Sequence, residues 1–333
     1  MAGNKNILIL GTGALGAFFA GYLSRCDQNE IASDHSVIVH GSWVDQIEKI
    51  QSSGLVIREY DGSETLRHFH ITESIHEIPP ADIIIVLVKG YQTDSKLEII
   101  SEKLKPDGMC LTLQNGLGNS DIISQRIGES RTVTGITLVG VRVIKPGIIE
   151  HTGPGETYIE AHANVSLHID YLATLLNSCG IETVVTSDID AKVWTKLAIN
   201  AALNPLTALM EIPNGGLLKD ERLKKIVHMI ITETVAVSNE NGVNLDSSDT
   251  YALMLDVCRR TARNHSSMFQ DMSRGARTEI HSINGSIVQM GAAKGIDVPM
   301  NRLMLEMIER KEANGGKPSE FLKTIEQKFH LTV

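Results

Sequence analysis

The sequence predicts an α/β protein with a doubly wound, mainly parallel sheet in its first half and an all-helical second half. Short β-rich runs alternate with helical segments through the first half. A glycine-rich loop directly follows the first of these runs. Beyond about residue 187 the β-rich runs disappear, and helical patterns follow one another to the end. We therefore predict two domains, residues 1–187 and residues 188–333.

The predicted strands share runs of aliphatic and β-branched residues bounded by turn residues. The run DIIIVLV is apolar almost throughout, as expected of a strand that helices cover on both faces. The main candidates are Asn6–Leu10, Val37–His40, Leu55–Glu59, Asp82–Val88 and Met109–Leu113, and shorter runs at Thr132–Val139, Gly147–His151, Glu156–Ala161 and Glu182–Val185 are expected to extend or edge the same sheet.

Composition limits the classes of function. The chain has 333 residues, of which 42% are hydrophobic and 21% charged, enough for two domains with real cores. A net charge of -9 argues against a nucleic-acid surface and favours a small-molecule partner. We find no signal peptide, membrane span or metal-site spacing, and expect a cytoplasmic protein with reduced thiols. The cysteines are Cys26, Cys110, Cys179 and Cys258.

The loop Gly11-Thr12-Gly13-Ala14-Leu15-Gly16 lies between the first strand and a helix. In this context the first glycine permits a tight turn, the second lets backbone approach a pyrophosphate, and the third lets helix and strand pack closely. We predict a Rossmann-like dinucleotide site, against the alternative of a tight turn without ligand. The second strand ends at His40-Gly41-Ser42, which carries neither the acidic signature of NAD sites nor a basic one for NADP.

Two polar residues follow later strands of the predicted sheet. Lys89 follows DIIIVLV, and Asn115 follows the strand in MCLTLQ. Open α/β sheets bind ligands at the carboxyl ends of their strands, so both are candidate ligand contacts. A solvated surface lysine and a plain Asn-Gly turn are the alternatives.

The segment WTKLAINAALNP carries the clearest catalytic signal. Lys196, Asn200 and Asn204 recur every four residues in an apolar stretch, which stacks them on one helix face. Reduction of a ketone by hydride builds negative charge on the carbonyl oxygen, and a partly desolvated lysine can protonate it. If a nicotinamide reaches the cleft between the domains, this face would meet it. The alternative is a lysine that extends its ammonium to solvent beside two asparagines whose amides are hydrogen-bonded within the protein. Separately, Pro205 is expected to break or kink the helix.

Three downstream residues, Glu279, Asn214 and Ser267, carry a weaker signal of function in their sequence spacing. Glu279 follows Thr278 at an apparent helix start, where carboxylates are common for dipole reasons. Asn214 in EIPNGG has the character of a loop residue, and Ser267 begins the segment SMFQD.

Eight segments in order resemble the 2-dehydropantoate 2-reductase (ketopantoate reductase) family: GTGALG, VLVKGYQ, LQNGLG, WTKLAINAALNPLTAL, IPNG, SSMFQD, RTEIHSING and GIDVP. The resemblance covers nearly the whole chain. It implies an amino-terminal Rossmann domain, a carboxyl-terminal domain like that of 6-phosphogluconate dehydrogenase, and binding of NADPH and ketopantoate between them.

The resemblance also assigns roles. Lys196 would be the proton donor. The substrate contacts would be Asn115, Asn200, Asn204, Asn214 and Ser267. The cofactor contacts would be Gly11, Thr12, Gly13, Ala14, Leu15, Gly16, Lys89, Asn115, Val141 and Glu279. Ser42 stands where the family often has an arginine for the NADP 2′-phosphate, which leaves NADH as an alternative cofactor, and His281 replaces the aspartate of TEID, a change expected to be peripheral.

The sequence thus favours reduction of 2-dehydropantoate to (R)-pantoate, the step of pantothenate and coenzyme A synthesis. One alternative is another small branched 2-keto acid reduced by the same mechanism. The other is a non-catalytic dinucleotide-binding redox sensor, which would not need the lysine, asparagines and glutamate. A homodimer is possible, and no nucleic-acid or membrane partner is expected.

Overall fold

A computed structural model describes residues 5–25 and 35–329 of the chain. The chain divides into two compact units. The first comprises Met1–Gln114 and Gly118–Ile189, and the second comprises Asn115–Leu117 and Asp190–Val333. The first unit is α/β and the second is helical, which confirms the predicted fold class. The boundary after residue 187 stays a prediction about folding units, and the packing of Asn115–Leu117 with the second unit was not anticipated.

Twelve strands lie in the described part of the first unit. They are β1 (Lys5–Leu10), β2 (His35–His40), β3 (Leu55–Arg58), β4 (Glu64–Arg67), β5 (His70–Thr72), β6 (Ala81–Val86), β7 (Leu104–Thr112), β8 (Thr132–Thr137), β9 (Gly140–Lys145), β10 (Ile148–Gly153), β11 (Thr157–Glu160) and β12 (Thr183–Thr186). Eight of them form one sheet in the order β12-β11-β8-β7-β6-β1-β2-β5. Every pair in it is parallel except β8 with β11.

The other four strands form a separate sheet in the order β4-β3-β10-β9. The prediction that Leu55–Glu59 and Gly147–His151 join the main sheet is therefore wrong. In β3 and β10 buried residues alternate with more exposed ones, as in a sheet with one face on a core. Two tight connections produce this sheet: Asp61 Oδ1 accepts from the Ser63 backbone between β3 and β4, and Gly147 adopts φ +78° between β9 and β10.

Helices cover both faces of the main sheet, as the apolar strand pattern predicts. The helices are α1 (Ala14–Leu23), α2 (Val44–Ser53), α3 (Leu97–Lys103), α4 (Asn119–Ile127) and α5 (Ser166–Ser178). Ile7 and Ile9 of β1 pack with α1, α2 and α5, whereas Leu8 and Leu10 pack with α3 and α4. Alternate side chains of one strand thus enter two cores, and this sheet holds the Gly11–Gly16 loop at its carboxyl edge.

The second unit is built from helices around one core. They are α6 (Ile189–Met210), α7 (Glu221–Glu240), α8 (Ser247–Arg260), α9 (Ser267–Ser273), α10 (Ser286–Lys294), α11 (Pro299–Asn314) and α12 (Pro318–Phe329). A π-helical turn, His281–Gly285, leads directly into α10. Apolar residues of all these helices meet in the core, so α6 is held with most of its surface covered.

The cysteines differ from the expectation of reduced thiols. Cys110 and Cys258 are free and buried, but Cys179 is disulfide-bonded, so the expectation is wrong at that position. Cys26 lies outside the described residues. Among the described residues, we find no helix long and apolar enough to cross a membrane and no cluster of His, Cys, Asp or Glu able to hold a metal ion.

Candidate functional site

The glycines of the Gly11–Gly16 loop have the distinct roles that the motif predicts. Gly11 has φ +130°, and a Cβ there would lie 2.8 Å from the Leu87 carbonyl carbon. A Cβ at Gly16 would collide with the Gly11 carbonyl oxygen. By contrast, a Cβ at Gly13 would meet no described atom within 4 Å. Gly11 and Gly16 are therefore required by the fold, whereas Gly13 keeps open space in front of the loop.

The amino terminus of α1 opens onto that space. Gly13 is its exposed N-cap and supplies no side-chain hydrogen bond, and its first turn has no acidic residue. Thr12 is buried, and Ala14 and Leu15 are half-buried. Free backbone N–H groups and the positive end of the helix dipole attract phosphate oxygens. The residues present thus fit the diphosphate of a dinucleotide.

The end of β2 packs against this loop. The Gly11 N–H donates to the His40 carbonyl oxygen at 2.9 Å, which joins the loop to the last residue of β2. Ser42 follows at an exposed position. Its hydroxyl is a neutral donor, so Ser42 does not itself select between NAD and NADP by charge.

Lys89 lies in the loop after β6 and is half-buried. Its carbonyl oxygen accepts from the Gln92 N–H at 2.7 Å. Gln114, which follows β7 and is buried, donates from Nε2 to the Val88 carbonyl oxygen at 2.8 Å and to Thr93 Oγ1 at 2.9 Å. Gln114 therefore fixes the loop that carries Lys89. We missed it in the sequence, although a polar residue at the end of a buried strand was a usable signal.

Val141 lies in β9 of the smaller sheet, opposite His151. Its side chain packs against the core that contains α1. The backbone contact to the cofactor that the family resemblance implies at Val141 stays a prediction.

In the second unit, α6 carries the polar stripe of Lys196, Asn200 and Asn204. Lys196 and Asn200 are half-buried, and Asn204 is 3% exposed. No hydrogen bond in residues 5–25 and 35–329 involves the carboxamide of Asn200 or Asn204. Two sheltered amides that make no hydrogen bond within this described part of the chain favour a ligand-binding face over the alternative of satisfied structural asparagines.

Lys196 has an altered acidity. Burial lowers the pKa of its ammonium from the usual 10.5 to about 8, and the nearby negative charge of Glu279 opposes this shift. Glu279 is itself buried, and its Oε2 accepts from Asn115 Nδ2 at 3.2 Å. Glu279 precedes the π-helical turn, and its negative charge acts on the Lys196 ammonium. Sequence spacing alone, which explained Glu279 by the helix dipole, therefore gave this residue too little weight.

Gly116 explains how Asn115 reaches Glu279. Its φ is +84°, and a Cβ there would collide with the Ser282 carbonyl oxygen. The next residue, Leu117, donates its N–H to that oxygen at 3.0 Å. The Asn-Gly pair is therefore a close backbone contact with the π-helical turn and more than a plain turn.

Of the break or kink expected at Pro205, the break is wrong. Helix α6 continues through Pro205 to Met210. The proline has no N–H for the Ala201 carbonyl, and Asn284 Nδ2 donates to that oxygen instead, at 3.0 Å. The freed carbonyl is thus bonded within the protein and is not presented to a ligand.

Asn214 and Ser267 are the remaining candidates. Asn214 is buried and donates from Nδ2 to Thr261 Oγ1 at 2.9 Å, while its Oδ1 is buried without a partner among the described residues. Ser267 is the exposed first residue of α9, and its neighbour Ser266 caps that helix. Both keep polar capacity for a ligand. His281 Nε2 lies 3.3 Å from Glu309 Oε1, and both side chains are exposed, which agrees with a peripheral role.

Two protein-family models match successive parts of this chain. Residues 7–164 match the family model Ketopantoate reductase PanE/ApbA, and residues 188–312 match Ketopantoate reductase PanE/ApbA C terminal. A 2-dehydropantoate 2-reductase of Pyrococcus horikoshii is 33% identical over 314 residues, which cover 93% of this chain and 98% of the relative. The chain belongs to the ketopantoate reductase family. The family resemblance seen in the sequence is thereby confirmed.

Other members and solved structures agree. A 2-dehydropantoate 2-reductase of Halobacterium salinarum is 29% identical and covers 93% of this chain and 99% of the relative. The PanE/ApbA family ketopantoate reductase of Ralstonia eutropha has a TM-score of 0.83 at 27% identity, covering 93% and 99%. The ternary complex of D-mandelate dehydrogenase with NADH and anilino(oxo)acetate has a TM-score of 0.85 at 25% identity, covering 92% and 98%. The chain thus shares its fold with a ketopantoate reductase and with D-mandelate dehydrogenase.

Proposed function

We propose that this protein reduces 2-dehydropantoate to (R)-pantoate, with NADPH as cofactor and Lys196 as general acid. The observation that carries the proposal is the α6 stripe, in which an ammonium with a pKa near 8 is aligned with two amides that have no partner in the described protein. Membership of the ketopantoate reductase family supports the substrate.

The first unit, Asn115 and Glu279 would hold the cofactor. Its diphosphate would bind at Gly11, Thr12, Gly13, Ala14, Leu15 and Gly16, and the rest of the cofactor would contact Lys89, Asn115, Val141 and Glu279. When bound, the nicotinamide supplies a hydride for the substrate carbonyl carbon. The open space at Gly13 and the uncapped start of α1 support this assignment.

Lys196 supplies the proton. As the carbonyl carbon gains hydride, its oxygen becomes an alkoxide, and the Lys196 Nζ–H donates to that oxygen to give the hydroxyl. A pKa of about 8 keeps most of the lysine protonated at neutral pH yet makes it a stronger acid than an exposed lysine. The carboxylate of Glu279 prevents a larger fall of that pKa, and Asn115 holds the carboxylate at 3.2 Å.

Neutral amides bind the substrate. Asn200 and Asn204 donate to its carboxylate or hydroxyl, and Asn214, Ser267 and Asn115 complete the set. Donors without charge bind an acid without lowering the pKa of the nearby lysine, which a further cation would do.

The choice of cofactor and the identity of the keto acid each have an alternative that an observation supports. Ser42 offers no cation for a 2′-phosphate, so NADH is the alternative cofactor, and the related D-mandelate dehydrogenase complex contains NADH. The same complex supports a second candidate function, reduction of another 2-keto acid by this mechanism. A panel of 2-keto acids compared by kcat/KM distinguishes the two functions.

The test begins with purified protein, 2-dehydropantoate and each cofactor in turn. We expect cofactor oxidation that requires the keto acid, with the highest kcat/KM for 2-dehydropantoate. Lys196→Ala should lose most of kcat, whereas Lys225→Ala, an exposed lysine on α7, should not. Cofactor binding without turnover would favour a redox sensor, and unchanged turnover by Lys196→Ala would exclude this mechanism.

A further inference from the structure

Pro205 leaves a gap in the hydrogen bonding of α6. In a regular helix the N–H of residue 205 would donate to the Ala201 carbonyl, but proline has no N–H. Ala201 is fully buried, so bulk water does not reach its backbone. An unpaired buried carbonyl is costly, and a neighbouring element must therefore supply the missing donor.

Asn284 supplies that donor. It is fully buried in the π-helical turn, and its Nδ2 lies 3.0 Å from the Ala201 oxygen and 3.0 Å from Asn301 Oδ1. Asn301 Nδ2 donates in turn to Glu233 Oε2 at 2.9 Å. Glu233 also accepts from the backbone N–H groups of Met300 at 2.8 Å and Asn301 at 2.9 Å. Donation thus runs outward from Asn284, on one side to the middle of α6 and on the other through Asn301 to Glu233 of α7.

In this network Asn284 acts only as a hydrogen-bond donor, and its Oδ1 accepts no bond from the described residues. Both of its Nδ2 contacts are to oxygen atoms, while its Oδ1 is buried with no partner among the described residues. A buried acceptor left unpaired is unfavourable, and leucine, which has the same branched side-chain skeleton, would avoid it. The amide is therefore explained by the two bonds that it donates, one of which ends on α6.

These contacts connect two parts of the candidate site. Ala201 lies between Asn200 and Asn204 on the same turn of α6. On the other side, the turn that carries Asn284 follows Glu279 directly, and the Ile283 N–H donates to the Glu279 carbonyl oxygen at 3.1 Å.

We propose that Asn284 is a positioning residue for substrate binding: its bond to the carbonyl freed by Pro205 sets the direction in which Asn200 and Asn204 present their amides. This inference rests on the proposed function. A proline in the middle of a substrate-binding helix would otherwise leave that turn free to bend. At Pro205 a hydrogen bond within α6 is replaced by a bond from Asn284 of the π-helical turn. This bond fixes the position of α6 relative to the segment that carries Glu279.

A double-mutant cycle tests this directly, because Pro205→Ala restores the missing N–H. Asn284→Leu, which keeps the number and branching of the side-chain heavy atoms, should raise KM for 2-dehydropantoate by about tenfold or more in the Pro205 protein. In the Pro205→Ala protein the same change should alter KM by less than about threefold, since the helix closes its own bond. The pH dependence attributed to Lys196 should not move, because neither variant changes a charge.

The matched control is Asn241→Leu. Asn241 Nδ2 donates to the Val237 carbonyl at 2.8 Å, at the end of a helix that carries none of the candidate residues. It should leave KM unchanged in both backgrounds. Equal effects of Asn284→Leu with and without Pro205 would overturn the proposal, as would a loss of stability with KM unaltered.

Folding and function are separated by a second measurement. The free energy of unfolding is measured for the same four proteins, and it should show the same coupling between positions 205 and 284. If Asn284→Leu does not fold alone, Pro205→Ala should restore folding, and failure to do so overturns the proposal. If the wild-type protein does not reduce 2-dehydropantoate, the proposed function fails while the coupling in unfolding still tests the bond.

Discussion

Replacing Lys196 by methionine should make the protein more stable and nearly inactive. Methionine is close to lysine in length but carries no charge, so it removes the ammonium that Glu279 faces in the wild-type protein. The comparison of wild type with Lys196→Met therefore measures the cost of keeping the ammonium in the folded protein. A residue retained for catalysis commonly has such a cost, whereas a structural lysine does not.

The size of the effect follows from the pKa. Burial lowers the pKa of Lys196 from 10.5 to about 8, a difference of about 2.5 units. At 1.36 kcal/mol per unit this is about 3 kcal/mol. The folded-state pKa is the lower one, so below pH 8 both states are protonated and the cost is constant. Between about pH 8 and 10.5 the unfolded chain binds the extra proton, and wild-type stability rises with pH toward that of the variant.

The assay is chemical denaturation of both proteins from pH 7 to 10.5, with kcat measured in parallel. We expect Lys196→Met to be about 3 kcal/mol more stable at pH 7, the difference to vanish near pH 10.5, and kcat to fall about 10²- to 10⁴-fold. Lys225→Met, at an exposed site, should change stability by less than about 0.5 kcal/mol. A variant that is less stable than wild type at every pH, or that retains kcat, would refute the reasoning.

Three further predictions concern other positions. Gly13→Val should weaken cofactor binding by about tenfold or more in calorimetric titration with Tm unchanged, whereas Gly16→Val should lower Tm, because only the latter side chain meets protein; equal loss of Tm would contradict the assignment of Gly13. Ser42→Arg should raise the affinity for NADPH relative to NADH by about tenfold or more through charge-assisted bonds to the 2′-phosphate, and an unchanged ratio of Kd values would place that phosphate elsewhere. Glu279→Gln should lower the pKa of Lys196, so the alkaline decline in reduction rate should move to lower pH, and a shift upward would exclude the charge interaction.

The main sheet was predictable because burial imposes a pattern on single strands. β6 is buried along its whole length, and the sequence ADIIIV shows this without knowledge of its neighbours. β3 and β10 are short half-buried runs, and their pairing joins residues about 90 positions apart in the chain. Nothing local in either run distinguishes an edge of the main sheet from a second sheet.

The candidate site was predictable where its signal is local. Lys196, Asn200 and Asn204 share a face because a helix repeats every 3.6 residues, and the structure places them on α6. The environment of Glu279 depends on Asn115, which is 164 residues distant, and the Ala201 carbonyl depends on Asn284, 83 residues away. Such contacts arise only from the tertiary fold, so spacing alone gave Glu279 too little weight and predicted a break or kink at Pro205.

The pH dependence of kcat/KM for 2-dehydropantoate reduction tests the central claim most directly. Lys196 must be protonated to donate, so the rate should be constant below its pKa and fall tenfold per pH unit above about pH 8. The reverse oxidation of (R)-pantoate requires the neutral amine and should rise through the same pH. We predict that the reduction rate falls and the oxidation rate rises with pH about one shared midpoint near pH 8. Both changes should be absent from Lys196→Met. A reduction rate that stays flat to pH 10 would contradict the assignment of Lys196 as the acid.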